Sequence, residues 1–288
     1  MKFAVIGGDR RSALLCAALL RDGHKVHSFA LERSELPEEA VKAGCLQGCV
    51  YGADCVVLPV PAEKGGLLNA PFSAEPLRMK ELLGALWKGQ ILCGGRLSDA
   101  TCLGAIRGGL RVEDIMRRPG FAIGNAAITA EGAAQILMAE SPRTLWGSRV
   151  LITGFGRIGK LLALRLGALG AAVTVAARKD ADRAGARAIG AAALDYPALE
   201  GVIGDFDFIV NTVPARVISE AALCCAAPEA LLLELASPPG GFDRTLAENI
   251  GLKAIAAPGL PGVYAPETAA LLIRDTVYDV IKEQVNDG

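Results

Sequence analysis

The sequence predicts an α/β protein built from two doubly wound, parallel-sheet domains, and three observations carry that expectation. First, 52% of the 288 residues are hydrophobic but only 5% are aromatic, and 34 are glycine. This composition suits aliphatic parallel strands covered on both faces by helices. Second, a chain of this length exceeds the usual size of one hydrophobic core, so two domains are the default. Third, a strand-turn-helix-Gly-strand layout occurs twice at a constant offset: Gly7 matches Gly154, Gly23 matches Gly170 and Val26 matches Val173, each pair separated by 147 positions. Such self-similarity marks a repeated supersecondary unit.

In chain order, apolar patterning places strands at 2–6 and 25–30 with a helix at 10–21 between them, which is a βαβ unit. A further apolar strand covers 55–60, a helix 76–86 and a short strand 90–93, so the region to about Asn125 reads as one open sheet. A helical run from Thr129 to about Glu140 stops at Ser141-Pro142, and a fresh strand starts at Arg149. The second half continues with a helix at 157–169 and strands at 172–177, 208–211 and 231–235. The expected organisation is a first Rossmann-like domain over 1–125, a connecting helix over 126–145, a second Rossmann-like domain over 146–265, and a C-terminal helix over 266–288 that returns to the first domain.

Thirty basic residues face 31 acidic ones. A near-zero net charge gives no electrostatic reason for nucleic acid or an anionic membrane as partner. No apolar run approaches the roughly 20 residues of a membrane span, and the N-terminus enters a strand without a signal-peptide pattern, so a cytoplasmic protein is expected. Eight cysteines form no C-x-x-C pair and only two histidines exist, His24 and His27; buried free thiols and no metal site are the expectation.

The chemistry concentrates in Gly154-Phe155-Gly156-Arg157-Ile158-Gly159, which follows the apolar strand ending at Thr153 and opens an amphipathic helix. In that context the first glycine permits a tight turn, the second lets backbone approach a pyrophosphate at the helix N-terminus, and the third allows close helix–strand packing. A nicotinamide dinucleotide is therefore expected. After the next strand, where a carboxylate would bond the ribose hydroxyls of NAD, the chain reads Ala177-Arg178-Lys179 and then Arg183. Cationic groups there suit a 2′-phosphate and favour NADP(H); the alternative is a solvated basic turn, with Asp180 or Asp182 serving NAD.

In the first half, Asp9 takes the place of Gly156 and Ser12 that of Gly159, so this turn is not expected to hold a dinucleotide. Asp9, Arg10 and Arg11 at a helix start are instead candidates for a substrate carboxylate, against the plainer reading of a solvated first turn. Glycine- and proline-rich segments after apolar strands supply further candidates: Thr212, Val213 and Pro214 for cofactor, and Ser237 for substrate. Asn125 and Thr129, at the expected start of the connecting helix, are substrate candidates or only a turn residue and an N-cap.

Four separated segments together resemble the family of the dipicolinate synthase A chain: Asn125-Ala126-Ala127-Ile128-Thr129-Ala130-Glu131-Gly132-Ala133, the glycine fingerprint, Leu235-Ala236-Ser237-Pro238-Pro239-Gly240-Gly241-Phe242-Asp243, and Leu260-Pro261-Gly262, with Gly7-Gly8-Asp9-Arg10-Arg11 ahead of them. Ile128 stands where that family commonly has proline, Pro238 where it has lysine, and Val263 and Glu267 at or near further lysine positions. The resemblance implies oxidation of dihydrodipicolinate to dipicolinate with NADP⁺, beside a smaller flavoprotein-like second subunit, in the mother cell of a sporulating bacterium. A small dicarboxylate needs N–H or cationic donors, and Glu131 is the candidate base. A homo-oligomer of the chain itself is a further partner expectation. Two alternatives stand beside this one. The first is another NADP-dependent two-domain reductase, of the shikimate or hydroxyacid dehydrogenase type, although neither the Lys-Asp pair of the former nor the Arg-Glu-His set of the latter is recognisable. The second is a non-catalytic nucleotide-binding partner subunit.

Overall fold

The computed structural model describes residues 1–286. It divides into two compact units, Met1–Asn125 together with the segment from Pro261, and Ala126–Leu260. In the first unit the chain runs β1 (Lys2–Ile6), α1 (Arg10–Arg21), β2 (Lys25–Phe29), β3 (Val41–Lys42), α2 (Leu46–Val50) and β4 (Cys55–Val57). A two-stranded hairpin, β5 (Glu63–Lys64) and β6 (Leu67–Leu68), then precedes α3 (Met79–Ala85), β7 (Ile91–Gly94), α4 (Asp99–Arg107) and β8 (Arg111–Asp114). A long helix, α5 (Pro119–Glu140), leads to the second unit: β9 (Arg149–Thr153), α6 (Arg157–Ala168), β10 (Ala172–Ala176), α7 (Asp180–Ala188), β11 (Ala192–Leu194), β12 (Phe208–Asn211), α8 (Glu220–Cys224), β13 (Leu231–Glu234), α9 (Arg244–Asn249) and β14 (Lys253–Ala256). The chain ends with α10 (Leu260–Tyr264) and α11 (Pro266–Asn286), and α11 packs along α1 in the first unit.

Both main sheets have six strands, all parallel, in the orders β3-β2-β1-β4-β7-β8 and β11-β10-β9-β12-β13-β14. Counted along the chain each is 3-2-1-4-5-6, the doubly wound order whose direction reverses beside its first strand. The repeat seen in the sequence extends to the elements themselves: β1, α1 and β2 start and end 147 residues before β9, α6 and β10.

Strand alternation explains why both faces are covered. In the second unit Val150, Ile152, Phe208, Val210, Leu231 and Leu233 join a core with α5 and α6, while Leu151, Ile209 and Leu232 face the opposite way, toward Phe206, Leu223 and Ala247. In the first unit Phe3 and Val5 pack with α1 and α11, and Ala4 and Ile6 with α2 and α3. The described residues hold eight free cysteines, of which Cys16, Cys49, Cys55 and Cys93 are buried while Cys45, Cys224 and Cys225 are exposed.

The largest departure from the sequence expectation is the connecting helix; the strand expected over 55–60 also stops at Val57, and residues 261–265, expected in the second domain, group with the first unit. The connecting helix starts ten residues before Thr129, at Pro119, so the expected span 126–145 misses its first turns and overruns its end. Gly120, Gly124 and Asn125 are poor helix formers and hide the periodicity. Tertiary packing overrides them: a Cβ on Gly124 would stand 2.8 Å from Leu272 Cδ1 of α11, and Pro119 suits the first helical position. Asn125 and Thr129 are therefore interior to the helix, not a turn residue and an N-cap. Residues 287 and 288 of the expected C-terminal helix lie outside the described residues.

Candidate functional site

The carboxyl ends of β9 and β12 flank the point where the second sheet's strand order reverses, which is where open α/β sheets bind ligands. The Gly154–Gly159 turn leaves β9 there. Gly154 adopts φ +94°, a left-handed conformation that favours glycine, and a Cβ on it would lie 2.6 Å from Thr212 Oγ1 and 2.7 Å from Val213 Cγ2. A Cβ on Gly159 would overlap the Gly154 carbonyl oxygen, so α6 reaches the turn only because that position is bare. Gly156 differs from both. It is the exposed N-cap of α6, supplies no side-chain cap, and has open space where a Cβ would project.

The first-turn N–H groups of the twelve-residue helix α6 thus begin at a bare, solvent-facing position. Oriented N–H donors and the positive end of the helix dipole favour an anion there. The residues fit a pyrophosphate.

The other expected cofactor residues sort by role. Thr212 and Val213 are brought against Gly154, and the Thr212 hydroxyl donates to the Thr153 carbonyl at 2.7 Å, which locks the two strand ends together. Pro214 is exposed one residue on. The Phe155 side chain is buried in the core, where a Cβ on Gly185 would touch it at 2.9 Å, so Phe155 offers the site only its backbone. Arg157 is exposed and Ile158 half-buried in the first turn of α6. At the end of β10, Arg183 turns back on its own chain: Nη1 donates to the carbonyls of Ala177 and Arg178 at 2.9 and 2.8 Å, and Nη2 pairs with Asp180 at 3.3 Å. Arg183 therefore shapes the turn, and Arg178 and Lys179 are the exposed cations on it.

In the first unit the expected carboxylate clamp is taken apart. Asp9 caps α1 by accepting the Arg11 N–H at 3.0 Å, and the Arg11 guanidinium bonds the same carboxylate through Nε at 2.9 Å and Nη2 at 2.7 Å. Arg11 Nη2 also donates to the Val60 carbonyl, and the residue is only 6% exposed. Burial alone would raise the Asp9 pKa, but the Arg11 hydrogen bonds and charge outweigh it and hold the carboxyl below its usual range. A Cβ on Gly262 would stand 2.8 Å from Asp9 Oδ2, so the Pro261-Gly262 turn rests on this pair. Arg10, about 100° round the helix, is exposed and lines a separate cavity of about 570 Å³ with Leu14, Arg33 and Phe72. The correction to the sequence reading is physical: adjacent helix residues point apart, and Arg11 already engages Asp9 and Val60 through Nε and Nη2.

Glu131 is exposed on α5 and paired with Arg165 of α6 at 3.1 Å. Thr129 is buried in the same helix, Asn125 is half-buried, and Ser237 is exposed in the loop after β13. That loop walls a cavity of about 380 Å³ shared with Arg216, Asp243 and Pro258.

Of two polar residues at the strand ends, sequence reasoning did not single out Thr153 and reached Asn211 only as the first residue of the Asn211-Thr212-Val213-Pro214 segment. Thr153 and Asn211, both fully buried, face each other across β9 and β12, with the Thr153 hydroxyl donating to Asn211 Oδ1 at 2.6 Å. Their signal was a polar residue closing an otherwise apolar strand. Among the described residues no helix is long and apolar enough to cross a membrane, and no cluster of His, Cys, Asp and Glu is placed to hold a metal.

Residues 2–116 match the family model for the N-terminal domain of the dipicolinate synthase A chain, and residues 124–236 match that of the D-isomer specific 2-hydroxyacid dehydrogenase, NAD binding domain. The protein is 30% identical to the dipicolinate synthase A chain of Bacillus subtilis (strain 168), over 100% of its own length and 98% of that relative. It superposes on the crystal structure of the Bacillus subtilis A chain with TM-score 0.85 and 29% identity, over 100% and 98% of the two chains. The crystal structure of the corresponding dipicolinate synthase chain from Bacillus halodurans gives TM-score 0.85 and 26% identity over 97% of each.

Proposed function

The protein belongs to the dipicolinate synthase A-chain family, and from that membership we propose that it oxidises dihydrodipicolinate to dipicolinate with NADP⁺, in company with a flavoprotein-like second subunit. The coarser statement, a dehydrogenase-type unit for a nicotinamide dinucleotide, follows from the match over residues 124–236. The observation that carries the reading is the bare Gly156 N-cap of α6, open where its neighbours Gly154 and Gly159 are crowded.

When bound, the oxidised nicotinamide ring accepts a hydride. The substrate ring loses that hydride and a proton and becomes aromatic, so the reaction is driven by its product and the protein's task is placement. Gly156 and the first turn of α6 hold the pyrophosphate. Thr212 and Val213 wall the turn, Arg178 and Lys179 would meet the 2′-phosphate, and Thr129 and Ser237 would donate to substrate carboxylates. Glu131 is the base that takes the proton.

The test combines the purified full chain, with and without the second subunit, with enzymatically made dihydrodipicolinate and NADP⁺. NADPH absorbance and dipicolinate should rise together. No turnover under either condition, with NADP(H) still bound, would leave a nucleotide-binding partner and defeat the oxidation. The cofactor preference has its own test. Arg178→Ala should weaken NADP(H) by about 2 kcal/mol, the scale of a charge-assisted contact, and leave NAD(H) within twofold. Equal losses for the two cofactors, measured by calorimetry, would remove Arg178 from the phosphate.

A further inference from the structure

β13 ends in a carboxylate. Leu231, Leu232 and Leu233 are buried core residues, and Glu234 follows them at the strand's carboxyl end. Its oxygens collect three N–H donors: Oε1 accepts from Asn211 Nδ2 at 2.6 Å and from the Ala236 backbone at 2.8 Å, and Oε2 accepts from the Gly241 backbone at 2.7 Å.

Asn211 carries the connection to the neighbouring loop. Its Nδ2 also donates to the Val213 carbonyl at 2.9 Å, while Oδ1 accepts from the Val213 N–H at 3.1 Å and from the Thr153 hydroxyl. Only one amide orientation satisfies these partners, because Nδ2 faces two acceptors and Oδ1 two donors. The Gly241 carbonyl closes the circuit by accepting from the Val217 and Ile218 N–H groups at 2.9 and 3.0 Å. Two glycines show how closely the loop is drawn in. Gly240 has φ +78° with a Cβ position 2.8 Å from Glu234 Oε2, and a Cβ on Gly241 would overlap the Asn211 amide.

The strand ends β9, β12 and β13 and the loops after the last two are therefore one hydrogen-bonded assembly centred on a carboxylate. We propose that Glu234 is a positioning residue. Through Ala236 and Gly241 it fixes the loop that carries Ser237 and walls the 380 Å³ cavity, and through Asn211 it fixes Val213 against Gly154. The inference deepens the proposed oxidation and rests on it for its kinetic consequence. The physical requirement is a carboxylate: a glutamine in the same place presents one oxygen and one NH₂, and the NH₂ must then confront an N–H of Ala236, Gly241 or Asn211. Glu234 is half-buried and itself lines the cavity, and a part-buried polar network left partly unsatisfied loosens the groups it was holding.

The experiment uses the full chain with Glu234→Gln and Glu234→Asp. In the Gln variant, amide hydrogen exchange at Ala236 and Gly241 should accelerate at least tenfold while the amides of β9 and β12 keep their protection. Its kcat/KM for dihydrodipicolinate should fall at least tenfold. The Asp variant keeps the charge but cannot span both backbone donors, so it should fall between parent and Gln in kcat/KM. A folded Gln variant with parental exchange at both amides, or with parental kcat/KM, overturns the proposal. Should the Gln variant not fold, the Asp variant decides: at least threefold faster exchange at one of the two amides supports the assignment, and parental rates at both refute it. If the parent turns over no dihydrodipicolinate, the oxidation reading fails on that result, and the exchange measurement still decides whether Glu234 holds the loop.

Discussion

The turns that follow β1 and β9 are the same device with opposite fillings. Both leave a central strand through a positive-φ glycine, Gly7 at +68° and Gly154 at +94°, and both enter a twelve-residue helix. In the first unit the N-cap is Asp9, which bonds the helix's own N–H and is held in turn by Arg11. The position equivalent to Gly159 is Ser12, a buried hydroxyl that a Cβ on Gly8 would overlap. In the second unit the N-cap is bare Gly156. One turn satisfies its helix internally, and the other leaves the first-turn N–H groups without a side-chain cap and open to an anion. The difference teaches that stability and ligand binding compete for the same N–H groups, and that a single residue at the N-cap decides which of them is served.

The sharpest way to break this comparison is to give the second turn the first turn's residue. Gly156→Asp should cap α6 and keep or slightly raise the melting temperature, since Asp is at least as good an N-cap as Gly. Its carboxylate would occupy and repel the pyrophosphate, so NADP(H) affinity should fall about a thousandfold, roughly 4 kcal/mol. Calorimetry and thermal unfolding on one sample decide it; a folded variant with undiminished affinity would unseat the fingerprint.

The second test removes what fills the first turn. Arg11→Ala strips the guanidinium from a largely buried pair and leaves both the Asp9 carboxylate and the Val60 carbonyl without that partner. A loss of about 3 kcal/mol is expected for a broken buried pair. Arg10→Ala, at an exposed neighbour, should change stability by no more than about 0.5 kcal/mol. Urea unfolding of the two variants separates them. Equal and small effects would return Arg11 to the status of a free first-turn cation, available to a ligand as the sequence alone had it.

These two turns also mark what can and cannot be read from a sequence. The tight turn at Gly154 and the close packing at Gly159 were legible because each is a backbone constraint that the motif itself imposes, and the 147-residue repeat was legible because strand and helix periods are local. The partnership of Asp9 with Arg11 was not, since it depends on side-chain direction and on a carbonyl at Val60, 49 residues on. Glu234 and Asn211 lie 23 residues apart and meet only because β12 and β13 are neighbours in register, Asn211 opposite Glu234. The early start of α5 escaped for a similar reason. Gly124 contradicts helix propensity and is explained by Leu272, which is 148 positions away in sequence.

The smallest expected effect concerns acid. Asp9 titrates below its ordinary range in the folded chain because Arg11 and the α1 N-terminus favour the carboxylate more than burial disfavours it. A carboxyl whose pKa is lower folded than unfolded binds fewer protons in the native state, so its stabilisation is complete above the unfolded value of about 4 and is lost as pH falls through the folded one. Asp9→Asn keeps an N-cap of similar quality but loses the charge and one of the two oxygens that accept from the Arg11 guanidinium. At pH 7 the variant should melt below the parent, and the gap should narrow steadily as the pH is lowered from about 5 toward 3. Comparing the two melting curves at each pH cancels the carboxyls they share. A gap that stays constant or widens in acid would mean that Asp9 acts as a cap alone, and that the ion pair with Arg11 adds nothing to closing the first turn.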